Sequence, residues 1–128
     1  MDALLFLTLG ETLELHQRSL NEFGGSSSVR DLLLLESALG MPTASFGGQF
    51  LHASLAEMAA AYLFHLVQNH PFVDGNKRTG AAAARVFLLM NGAVSDPSEE
   101  EYGDLVLAVA SGKADKATAV AFFKQHVQ

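Results

Sequence analysis

Hydrophobic positions recur at helical spacing along most of the chain, and no run sustains the alternation of a strand. Leu9, Leu13, His16, Leu20 and Phe23 share a face and stop at Gly24-Gly25, which predicts a first helix. A second runs through the LLLL stretch to Gly40, with Pro42 behind it. A third carries Met58, Ala61, Tyr62, His65 and Leu66 and must end near Asn69, because Pro71 follows. A fourth begins at Gly75 or Asn76 and continues through GAAAARVFLLM to Asn91-Gly92. Beyond Arg85 it is apolar nearly all round, so it is expected at the centre of a bundle, with Ala81 to Ala84 letting its neighbours approach. A fifth helix covers about 99–111 and a sixth about 115–126, packing Val120 and Phe123. Capping boxes mark four of the starts: Thr8/Glu11, Ser28/Asp31, Ser54/Glu57 and Ser98/Glu101. Thr43 to Leu51, with Gly47-Gly48 at its middle, suits a short hairpin or flap. The expected architecture is a single all-α domain over residues 1–128.

Composition narrows the function classes. The chain has 128 residues, 49% hydrophobic and 17% charged, enough for one core without a disordered tract. No apolar run approaches the ~20 residues of a membrane span. The opening MDALLFLTLGE is short and carries Asp2 where a signal peptide would carry a cation, so a cytoplasmic protein with no membrane partner is expected. Without cysteine there is no disulfide framework and no thiolate metal site. The net charge of −6 argues against direct nucleic-acid binding. Between residues 61 and 90 the only charged side chains are Asp74, Lys77, Arg78 and Arg85. An acidic protein with one compact basic spot suits a small anion.

That spot lies in HPFVDGNKRTG, His70 to Gly80, at the junction of the third and fourth helices. A loop ending in a helix start presents unpaired backbone N–H groups and a positive dipole end. Gly75 permits close approach to the backbone. Asn76 can donate to an oxygen, and Lys77 and Arg78 add full charge. Asp74 can hold Mg²⁺ between phosphate oxygens, and His70 can accept a proton near neutral pH. Base, metal ligand and anion cradle are what phosphoryl or nucleotidyl transfer requires. The bland alternative is a His-Pro turn followed by ordinary loop residues and a solvated Lys-Arg pair.

The segment resembles the signature of the Fic/Doc family, in its death-on-curing (Doc) branch. ELHQRSLNEFGG, VRDLLLLESAL, FGGQF and the trailing MNG extend the likeness over nearly the whole chain. The resemblance implies a compact six-helix core. His70 is then the catalytic base that deprotonates a hydroxyl of a target protein, and Phe72 the buried anchor of the loop. Asp74 is the Mg²⁺ ligand, and Gly75, Asn76, Lys77 and Arg78 form the phosphate cradle. Residues 43–51 become the flap on which the target chain docks.

The AMP-transferring pattern of the family runs H-x-F-x-D/E-G-N-G-R-x-x-R. Here Lys77 replaces the second glycine and Ala81 the second arginine. Doc toxins share both changes and resemble kinases that bind ATP in the inverted pose and transfer its γ-phosphate. The implied target is a threonine of elongation factor Tu, with arrest of translation. Gly75 stands where the Doc prototype has alanine and points the other way, so AMP transfer stays an alternative, as does a catalytically silent binding module. The family's inhibitory pattern, S/T-x-x-x-E-G/N, has no match; Ser19 to Gly24 comes nearest, with Glu22 one place early. The implied regulator is a separate antitoxin folded over the site.

Four side features have plainer readings. His65 and His70 lack the i, i+4 spacing of a zinc pair, so His65 is expected to be packed or hydrogen-bonded. His52 is expected at the surface. GNKRT is similar to the end of a P-loop, but Asn76 displaces the required Gly-Lys. Arg85 either reinforces the positive field or pairs with an acid.

Overall fold

A computed structural model describes residues 3–127; Asp2, on which the signal-peptide reading turns, lies outside them. Six helices follow in order: α1 (Leu9–Phe23), α2 (Leu32–Gly40), α3 (Leu55–Asn69), α4 (Asn76–Met90), α5 (Glu99–Ala110) and α6 (Lys116–His126). Between α2 and α3 stands a two-stranded hairpin, β1 (Ser45–Phe46) and β2 (Gln49–Phe50). The architecture is all-α. No helix among the described residues is long and apolar enough to cross a membrane.

The caps explain most of the boundaries. Thr8 and Glu11 exchange hydrogen bonds at the start of α1, and Ser98 and Glu101 do the same for α5. The other two boxes are corrected. Asp31, not Ser28, caps α2 by accepting from Leu34 N–H at 3.0 Å, while the Ser28 carbonyl accepts from Val73 N–H. Ser54 does cap α3, but the Glu57 carboxylate reaches one residue further back, to Ala53 N–H, and also pairs with Lys124.

The centre of the bundle belongs to α3 rather than to α4. It packs against α2, α4, α5 and α6, and buries Met58 to Leu63 without a break. Its run of alanines lets all four neighbours close in. α4 lies on one side of it, with Ala83, Ala84, Phe87 and Leu88 inward and Leu89 in solvent. At Gly80 the two helices leave no room for a side chain: a Cβ there would meet Val67 at 2.9 Å. This α3–α4 pairing sets the span of the loop between them.

Candidate functional site

Five of the six helices begin on a capping side chain: Thr8, Asp31, Ser54, Ser98 and Asp115. α4 does not. Its N-cap is Gly75, at φ 84°, and no side chain bonds its first turn. That turn carries Lys77 and Arg78 in place of an acid, which the helix dipole opposes. Bare N–H groups and two cations at one helix start are satisfied together by an anion.

The loop before α4 is held from both sides. Residues 28–31 run antiparallel to it through a Val29–Phe72 bridge. Arg30 and Asp31 N–H donate to the Pro71 carbonyl at 2.7 and 3.1 Å, and Val73 N–H to the Ser28 carbonyl at 3.1 Å. The Arg30 side chain donates to the carbonyls of His70, at 2.7 Å, and Asn69, at 3.0 Å, which caps the C-terminus of α3. His70 ends that helix at φ 50°, ψ 52°, the one non-glycine residue of positive φ among those described. The conformation costs roughly 1 kcal/mol and is retained because its surroundings dictate it. The imidazole itself is exposed.

Inside the loop, Phe72 is fully buried and stacks on His16 of α1, with ring centroids 3.7 Å apart. The Asn76 side chain is 5% exposed and closes the loop upon itself. It accepts from Phe72 N–H and donates to the Phe72 carbonyl, each at 2.9 Å. Its Oδ1 and one of its two Nδ2–H groups are thus engaged with the backbone, which holds the Asn76 N–H at the start of α4. Asp74 is exposed and accepts from Ser26 N–H through Oδ2 at 2.8 Å.

The basic spot is divided between two hollows. One, of about 350 Å³, is lined by His70, Asp74, Gly75, Asn76 and Lys77, so the fold brings most of the motif together. Arg78 is not among its lining residues. Its guanidinium lies 4.7 Å from the Phe23 ring centroid, in a largely apolar cleft of about 760 Å³ that also takes in Lys77, Ala81, Arg85 and Tyr102. Lys77 lines both hollows. Arg85 is spoken for, paired with Glu99 at 2.9 Å and stacked over Tyr102.

Among the described residues no three acidic or imidazole groups converge as a metal cage. Asp74 can still supply one carboxylate oxygen, its other being bound to Ser26. Mg²⁺ is ordinarily held by one or two carboxylates together with substrate phosphates, so this donor set suits an ion that arrives with a nucleotide. His65 packs edge-on against Phe64, and burial with the nearby Lys116 pushes its pKa down to about 4. His52 is buried rather than at the surface, 8% exposed. Burial, ahead of the charge of Lys116, lowers its pKa as well. Sequence spacing did not reveal Arg30, Ser26 and His16 as supports of the loop, because their partners lie 39 to 58 residues further along.

A model of the Fic/DOC family matches residues 6–88, which covers the loop, its supports and the hairpin. A protein called Toxin Doc from Mycolicibacterium smegmatis is 42% identical over 95 residues, 73% of each chain. A second, called Protein kinase doc, from Escherichia phage P1, is 31% identical over 103 residues, 80% of each chain.

Proposed function

Since this chain belongs to the Fic/DOC family, we propose that it is a Doc-like toxin that transfers the γ-phosphate of ATP to a hydroxyl of a protein. The observation that carries the reading is the uncapped, cationic start of α4, facing the same hollow as His70. Backbone N–H groups from Gly75 onward and Lys77 hold the phosphates. His70 takes the proton of the incoming hydroxyl as its oxygen attacks the γ-phosphorus; the bond to the β-phosphate oxygen breaks and ADP leaves. Mg²⁺ bound through Asp74 would neutralise phosphate charge.

Phosphoryl transfer is preferred to AMP transfer because Lys77 fills with a cation the space that a glycine leaves in the AMP-transferring pattern. Ala81 offers no second arginine, and its carbonyl accepts from Tyr102 at 2.7 Å instead. The name of the phage relative is consistent with this choice. The target proposed is a threonine of elongation factor Tu in the cytoplasm, and the regulator an antitoxin covering the hollow.

ATP labelled at the γ or the α position, incubated with the protein and purified elongation factor Tu, tests the reading. Label from the γ position alone is expected. Label from the α position alone establishes AMP transfer, and no label on that factor or in a cell extract leaves a silent binding module.

A further inference from the structure

His16 is 2% exposed, lies in the middle of α1 and touches the motif loop in three ways. Its ring lies flat on Phe72, 3.7 Å between centroids and 9° between planes. Its Nε2 is 2.8 Å from the Asp74 carbonyl oxygen. A Cβ placed on Gly75 would meet its ring edge at 3.4 Å. A carbonyl only accepts, so Nε2 carries the proton and donates. Mid-helix histidine is neither a cap nor a favoured core residue, and Leu or Phe would fill the volume without a polar atom to satisfy.

The consequence follows from the planar trans peptide. The C=O and N–H of one unit point in opposite directions, so drawing the Asp74 oxygen towards α1 turns the Gly75 N–H to the other side of the loop. That N–H is the first of the series entering α4. We infer that His16 is a positioning residue: it fixes the Asp74–Gly75 peptide in the orientation that aims the Gly75 N–H at a phosphate, while its ring holds Phe72 and so the turn that presents His70. This rests on the phosphate-transfer reading for its catalytic consequence, but its geometry stands apart from it.

Two variants separate donor from volume. His16→Phe keeps an aromatic face and loses the donor; His16→Gln keeps an N–H of similar reach and loses the stack. With transfer active in the parent protein, His16→Phe should lower kcat by on the order of 10-fold to 10²-fold, as for a small misplacement of reacting groups. The KM for ATP should change much less, and His16→Gln should recover part of kcat. Equal losses in both variants, in proportion to lost thermal stability, would make His16 a packing residue and overturn the inference.

Nitrogen and amide NMR of the unmodified protein supplies a second readout that needs no activity. The His16 ring should show the Nε2–H tautomer, and the Gly75 amide should shift on addition of inorganic phosphate. In His16→Gln the Gly75 amide should respond to phosphate, and in His16→Phe it should not. An Nδ1–H tautomer, or a Gly75 amide indifferent to both phosphate and substitution, refutes the positioning role. Failure of the labelled-ATP experiment with these NMR results intact refutes phosphate transfer alone.

Discussion

The connections on either side of α3 are built in opposite ways. The hairpin before it, β1–β2, carries its own short ladder, with Ser45 opposite Phe50, Phe46 opposite Gln49, and a further bond from Leu51 N–H to the Ala44 carbonyl, and it meets the body of the domain through Phe50, 5.6 Å from the Phe6 ring. Gly47 and Gly48, both at positive φ, supply the tight turn. Phe46 is 83% exposed. The loop after α3 has the opposite character. Its backbone is bonded to Ser28, Arg30, Asp31 and His16, its Asp74 carboxylate to Ser26 N–H, its own Asn76 closes it, and its aromatic residue is fully buried. A group that must stand at one place relative to a reacting atom gains from redundant restraint. A surface that adapts to a partner gains from exposed apolar side chains on a local scaffold. The contrast is what the proposed transfer to a protein chain would need.

The largest effect should come from His70→Ala, with a transfer loss of about 10²–10⁴-fold if the imidazole is the general base. The residue is exposed, so an unfolding midpoint close to the parent's should accompany it. Phe72→Ala should cost about 3–5 kcal/mol in denaturant unfolding, as for a fully buried ring. Asn76→Ala removes both bonds to the Phe72 backbone and should destabilise by about 2 kcal/mol, because buried groups are left unpaired. A loss below a few tenths of a kcal/mol would show that the loop is not braced from within.

Acid tests α3 itself, the helix between the two connections. The folded-state pKa of His65 lies below its ordinary value of 6.5, at about 4. Its contribution to stability is therefore complete above pH 6.5 and declines as the pH falls towards 4, since the unfolded chain takes up the proton first. Replacing His65 with Gln should flatten the stability profile in that window, and an unchanged slope would assign the acid sensitivity elsewhere. Phe46→Ser should have the smallest effect, within about 0.5 kcal/mol by thermal unfolding, because the ring is mostly in solvent. A larger loss would mean that the hairpin is part of the core and would dissolve the contrast.

Local signals alone determined much of this molecule. Helical spacing, caps, glycine stops and Pro71 located five of the six helices within a residue or two and set the start of α2 three residues early, because each of those cues acts over three or four residues. The hairpin at 43–51 was legible from Gly47-Gly48, and the candidate chemistry from one contiguous motif. What the tertiary structure decided were relations across distance. It put α3 rather than α4 at the centre, took His52 out of solvent, and gave Arg85 to Glu99. It turned the Asn76 amide inward and sent Arg78 to the neighbouring cleft. It also brought His16, Ser26 and Arg30 to a loop that begins 40 or more residues later in the chain. Which side chain meets which peptide across such gaps depends on how helices pack, and packing leaves no periodic mark along the sequence.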